Sequence, residues 1–249
     1  LRPDTQRRPQ LLFNMRISLP DTPGSLGALA TALGEGGANI LTLDVIDKED
    51  GYAVDDLSIE APQGLEKALK TVSEQIPGAL VEDVRPIDTF RDILAPIEMA
   101  GVLAETQPAA VASVLVRYLP DALWAGWCAL IQDGGEYANV IEQSIDCPDL
   151  SELQTPWLPL LGGLPLLGAR RLAAGRWMPP RWTMGATAQP GIGTPELAAA
   201  PFGPDGTTIV IGRQAGPRFR TSEVKQLGFL AKMATAVLTP KPEAIRAEI

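Results

Sequence analysis

The stretch Phe13-Asn14-Met15-Arg16-Ile17-Ser18-Leu19-Pro20-Asp21-Thr22-Pro23-Gly24-Ser25-Leu26 changes its hydrophobic period halfway along. Phe13, Met15, Ile17 and Leu19 alternate with polar residues, which is the period of a strand with one buried face. Pro20 to Gly24 breaks that period. Leu26, Leu29, Ala30 and Leu33 then recur at helical spacing and make one apolar stripe. Asp21 or Thr22 is the expected cap of this helix, and Pro23 suits its first turn. Gly34, Gly36 and Gly37 end it, where a left-handed residue is wanted.

The pattern continues on both sides of this junction. Asn39–Ile46 reads as a second strand, Asp47–Gly51 as a polar hairpin turn and Tyr52–Glu60 as a third strand. The acidic step Asp55-Asp56 is out of place in a strand. A second helix is expected over Gln63–Gln75, stopped by Pro77-Gly78, with a last strand over Ala79–Ile87. The order is βαββαβ, a ferredoxin-like arrangement.

The run Met15 to Leu26, followed by a helix and then Gly37-Ala38-Asn39-Ile40, resembles the ACT domain family over residues 11–88. The resemblance implies a small ligand, usually an amino acid, at the turn between the first strand and first helix, often between two paired copies. The site residues it implies are Asp21, Pro23, Gly24, Ser25, Leu26, Asn39 and Ile40. The local chemistry suits a zwitterion. A helix N-terminus leaves amides without intrahelical partners and carries partial positive charge, so it receives a carboxylate. Gly24 leaves room for backbone approach. Asp21 is placed to accept an ammonium, and Asn39 offers a donor and an acceptor. Helix capping, turn geometry and strand initiation account for the same residues equally well.

The remainder differs in composition. Residues 1–89 hold 8 basic and 15 acidic side chains, whereas all five tryptophans follow residue 90. That shift predicts a boundary near residue 90, with tails at 1–10 and 241–249. Ile97–Thr106 and Pro108–Tyr118 read as helices, the second broken at Pro120-Asp121. Leu123–Gln132 reads as a buried strand that carries Trp124 and Trp127 on opposite faces. Asp133-Gly134-Gly135 is a turn, Glu136–Ile145 a return strand and Asp149–Leu153 a short helix. Leu158–Leu172 is apolar but broken by glycine and proline. Met178–Gly206 holds six prolines and five glycines and is expected to be a mobile loop. Thr207–Arg213 is a strand, and Glu223–Leu238 a long helix capped by Thr221 or Ser222.

The sequence Pro201-Phe202-Gly203-Pro204-Asp205-Gly206-Thr207-Thr208-Ile209-Val210-Ile211-Gly212-Arg213, leading to the helix from Thr221, resembles the GAF domain family over residues 90–240. The resemblance implies a sensory module over a central antiparallel sheet. The predicted fold class is therefore α+β: a ferredoxin-like ACT domain followed by a GAF-like domain with flanking helices.

Composition sets limits. The 249 residues include no histidine, which excludes a Ser-His-Asp triad, His-ligated zinc and a histidine switch. Cys128 and Cys147 are too few for a disulfide framework and read as small buried hydrophobes. A net charge of −9 argues against nucleic acid. Arg170, Arg171, Arg176 and Arg181 read as a solvated basic cluster that is also able to receive an anion. No stretch is apolar enough to span a membrane, and no signal-type segment opens the chain, so the cytoplasm is expected. No cofactor and no metal are expected. The leading reading is a non-catalytic, ligand-responsive regulator that binds an amino acid as a homodimer and acts through another protein. The alternative is a dimerisation adaptor without a ligand. An enzyme would have to draw on carboxylates such as Glu136, Glu142 and Asp146, which nothing in the sequence pairs.

Overall fold

The protein is described here from a computed structural model that covers residues 9–87, 94–154, 168–173, 178–179, 195–213 and 216–238. The chain forms two compact units, Leu1–Arg91 and Asp92–Ile249. Both are α+β, each built on an antiparallel sheet.

In the first unit the elements run β1 (Gln10–Pro20), α1 (Ser25–Glu35), β2 (Asn39–Glu49), β3 (Tyr52–Pro62), α2 (Glu66–Glu74) and β4 (Leu80–Ile87). The strand order is β2-β3-β1-β4, the ferredoxin-like topology. Asp50 and Gly51 alone join β2 to β3, both at positive φ (52° and 80°), so the hairpin is tighter than the five-residue turn expected. Phe13, Met15, Ile17 and Leu19 of β1 point toward the helices and pack with Leu29, Leu33, Leu57, Ile59 and Leu69. The opposite face of β1 and β3 is also buried, but it is polar: Asn14, Arg16, Ser18, Asp56 and Ser58. Arg16 and Asp56 face each other in the β1–β3 register and form a two-pronged ion pair, each bond 2.7 Å. That pairing is what allows two full charges in a nearly inaccessible layer. The acidic step of β3 thus splits, with Asp56 neutralised on one face and Asp55 left on the other.

The start of α1 corrects the expected cap. Neither Asp21 nor Thr22 caps it, and Pro23 lies before it rather than in its first turn. The capping position is Gly24, at φ 97°, with no side-chain hydrogen bond to the helix. A left-handed residue is needed for the chain to turn from β1 into α1, and only glycine adopts it without strain. Of the predicted stripe only Leu29 and Leu33 are buried; Leu26 is 41% exposed.

The second unit runs α3 (Ala95–Glu105), a 3-10 turn (Pro108–Ala110), α4 (Val111–Ala122), β5 (Trp127–Asp133), β6 (Ala138–Gln143), β7 (Arg170–Leu172), β8 (Glu196–Phe202), β9 (Thr207–Arg213) and α5 (Thr221–Leu238). The sheet order is β6-β5-β9-β8-β7. The three helices cover one face, where Met99, Leu103, Leu115, Leu119, Leu227 and Leu230 meet Cys128, Leu130, Ile209 and Ile211. The other face packs Trp127, Ile131, Leu150, Leu153, Leu172, Met178, Leu197 and Val210. Trp127 lies opposite Gly212 in the β5–β9 register, and a methyl on Gly212 would fall inside the indole.

Several expectations are overturned here. Pro120 does not end α4, which continues to Ala122. A proline so near the C-terminus forfeits only one late hydrogen bond, and the Pro120 carbonyl accepts from Ala125 at 2.8 Å. Trp124 is not in the strand; it sits in the turn before β5 with φ 52°. Asp149–Leu153 is turn rather than helix, held by the Ser151 amide donating to Asp149 Oδ1 at 2.9 Å. Residues 196–202 of the expected mobile loop form β8, a buried strand of the sheet. The rest of that loop at 180–194, residues 158–167 of the broken apolar stretch, Trp157, Trp177, Trp182, Arg176, Arg181 and most of both tails lie outside the described residues.

Candidate functional site

The turn from β1 into α1 gathers Asp21, Pro23, Gly24, Ser25 and Leu26 at one end of the first sheet. Its geometry is set locally. The Asp21 amide donates to the Gly51 carbonyl at 2.8 Å, tying this end of β1 to the β2–β3 hairpin. The Thr22 and Ser25 hydroxyls are 2.9 Å apart. The first intrahelical bond runs from the Ala28 amide to the Gly24 carbonyl at 2.9 Å, so the amides of Leu26 and Gly27 precede the helical ladder. With no side chain capping this end, its partial positive charge faces outward.

Lys48, near the end of β2, was not legible as a site residue. Its Nζ donates to both carboxylate oxygens of Asp21, at 2.9 and 3.0 Å. The two residues are 27 positions apart and meet only because the hairpin brings the end of β2 level with the end of β1, across the intervening β3. The pair is exposed, 60% for Lys48 and 45% for Asp21. Such pairs contribute at most about 1 kcal/mol, so a competing charge displaces one at little cost.

Asn39 and Ile40 are not brought to this turn. Asn39 pairs with Glu60, and Glu60 with Leu12, so Asn39 is level with the first residues of β1. Nine residues of strand, about 30 Å at roughly 3.3 Å each, separate that level from Asp21. Within one chain the predicted residues form two half-sites at opposite ends of the sheet. β2 is an edge strand, and its Leu41 and Val45 are 39% and 54% exposed.

In the second unit the thiols are chemically quiet. Burial pushes Cys128 far above the usual thiol value, and it pushes Cys147 up to about 12. Arg171 pairs with Glu196 at 3.1 Å rather than standing in a solvated cluster. A groove of about 510 Å³ lies against α5, between Ala169, Arg171, Lys225, Phe229 and Lys232. Among the described residues no group of histidine, cysteine or carboxylate side chains is placed to hold a metal. No helix there is long and apolar enough to cross a membrane.

No family model and no curated protein matches the chain. Solved structures do show similarity. The ACT domain from GTP pyrophosphokinase of Chlorobium tepidum covers 33% of this chain and 92% of its own, with 19% identity and a TM-score of 0.27. The GAF domain of a sensor-type histidine kinase from Pseudomonas syringae pv. tomato covers 58% and 83%, with 12% identity and a TM-score of 0.37. The chromophore-binding domain of a bacteriophytochrome from R. palustris covers 95% and 98%, with 11% identity and a TM-score of 0.37. At these scores the likenesses carry no functional reading, which rests instead on the chain's own side chains.

Proposed function

We propose that the chain is a non-catalytic regulatory protein that binds an amino acid at the β1–α1 turn and passes the signal to another protein. The observation that carries this reading is the uncapped N-terminus of α1 beside a weak, exposed pair of opposite charges, Lys48 and Asp21. A free amino acid carries the same two charges on adjacent carbons. Its carboxylate is drawn to the open amides of α1 and to Lys48, and its ammonium to the carboxylates at that end of the sheet.

The separation of Asn39 from the turn makes the complete site a property of two copies. β1 and β2 run parallel, each antiparallel to β3. Two β2 edges joined about a two-fold axis run antiparallel, which sets Asn39 and Ile40 of a second copy near the Lys48 end of the first. Ligand binding then tightens the pair and shifts the balance between its arrangements.

The test is a thermal-shift screen of the full chain against the twenty amino acids. A ligand at 100 times its Kd adds about 2.7 kcal/mol, or several degrees at roughly 2–4 °C per kcal/mol for a chain of this size. One amino acid, or a chemically related few, should raise the midpoint, and Asn39→Ala should weaken the response. Silence across the panel sinks the reading. In that case the exposed apolar edge of β2 favours the second one, an adaptor that pairs without a ligand.

A further inference from the structure

Asp55 is the one acid that β3 turns toward the helices. It lies opposite Ile17 on β1 and Val45 on β2, and Ile17 belongs to the apolar layer packed against α1. Asp55 is only 3% exposed, and its Oδ1 is buried without a hydrogen-bond partner. Buried carboxylate oxygens are normally satisfied, and one that is not costs stability. Asp56, its neighbour in sequence, takes Arg16 on the other face, so that cation does not serve Asp55. Asp55 lies at the end of the sheet that holds the β1–α1 turn, close enough to feel the charges of Lys48 and Asp21. Lys48 donates to both carboxylate oxygens of Asp21. The first turn of α1 carries no acidic residue, and the only charged residue in α1 is Glu35 at its far end. A buried acid with an unsatisfied oxygen thus lies on the helix-covered face, toward the end of the sheet that carries the uncapped start of α1.

We infer that Asp55, rather than Asp21, is the carboxylate that receives the ammonium of the bound amino acid. Asp21 then acts as a positioning residue that aims Lys48 at the ligand carboxylate. The inference rests on the amino-acid reading above and sharpens it, because it requires a ligand with a protonated amine and excludes simple carboxylic acids.

Protonation follows from the same geometry. Burial raises the pKa of Asp55, with Asp56 and Asp21 adding to the rise and Lys48 opposing it. An ammonium seated against Asp55 favours its ionised form. The carboxyl proton therefore passes to solvent as the ligand enters, and affinity climbs with pH until free Asp55 is fully ionised.

Two readouts on the full chain test this. The first compares binding of the twenty amino acids with that of the corresponding acids lacking the amine, for wild type, Asp55→Asn and Asp21→Asn. Wild type and Asp21→Asn should prefer the amino acid. Asp55→Asn should bind it roughly ten- to a hundredfold more weakly and lose the preference. A preference that survives in Asp55→Asn overturns the inference and leaves the site reading intact. Absence of amino-acid binding by wild type removes both. The second readout is stability against pH without ligand. A carboxyl whose pKa is raised by folding supports the folded state only at low pH, and that support is lost as pH rises through the folded-state pKa. Asp55→Asn should therefore melt above wild type at neutral pH, with the gap closing toward the ordinary aspartate value of ~3.9. A variant less stable than wild type at neutral pH would show that Asp55 has a structural partner, and the inference would fail.

Discussion

The two sheets solve burial differently. The first has one apolar face, under α1 and α2, and one buried polar face built around Arg16 and Asp56. The second is apolar on both faces, with Cys128 and Leu130 on one side of β5 and Trp127, Ala129 and Ile131 on the other. Its main buried ion pair, Arg213 with Glu223 at 2.8 Å, lies at the end of β9. There Arg213 also donates to the carbonyls of Leu123, Trp124 and Pro217 and stacks on Phe219. The contrast shows what a buried charge does in each place. In the first sheet it is a cross-strand pair that fixes register, because a one-residue slip would drive Arg16 into the apolar layer. In the second it ties a turn, a loop and a helix start to the last strand.

Removing Arg16 is the strongest way to break this comparison. Arg16→Ala leaves Asp56 charged and buried without its guanidinium, at a cost of about 3–5 kcal/mol. The tryptophans all lie beyond residue 91, so their fluorescence follows the second unit, while far-UV circular dichroism follows both. Urea unfolding of Arg16→Ala should move the dichroism transition to lower denaturant and leave the fluorescence midpoint in place. A shift of both probes together would show that the units unfold as one.

Gly212→Ala probes the other sheet. A methyl there meets the Trp127 indole, and overpacking of this kind costs about 1–3 kcal/mol. The fluorescence midpoint should fall, with the first unit unaffected. An unchanged midpoint would mean that the second face is loosely packed.

The smallest effect is expected at the site itself. Lys48→Ala breaks an exposed pair and should change stability by less than about 1 kcal/mol by either probe. Its amino-acid response should nevertheless drop. A large loss of stability would make Lys48 structural and weaken its assignment to the site.

Legibility follows the same division. Strict alternation in β1 placed Phe13, Met15, Ile17 and Leu19 on one face without any knowledge of what they touch. The β-branched run of β9 and the long apolar pattern of α5 were equally plain. β8 was not, because Ala198, Ala199 and Ala200 have little strand preference and Pro201 argues against a strand. Its small side chains suit a position between β7 and β9 with a core on each face, which is a tertiary circumstance. Trp124 looked like strand because it is apolar, yet its positive φ serves the turn before β5. Asp21, Gly24, Ser25 and Leu26 could be read as a candidate site from the turn and the helix that follows. The distance to Asn39 could not, because it depends on which strands are parallel and how they register.

The sequence alone determined the α+β class, the βαββαβ order of the first unit, the last strand and helix of the second, and the turn that opens α1. These depend on periodicity and on residues such as proline and glycine, whose backbone preferences act within a few positions. Only the tertiary structure decided that Lys48 meets Asp21, that Arg16 neutralises Asp56 and that Oδ1 of Asp55 is buried without a hydrogen-bond partner. Each of these depends on cross-strand register and on which face of a sheet a side chain occupies, and both are set by contacts between residues far apart in the chain.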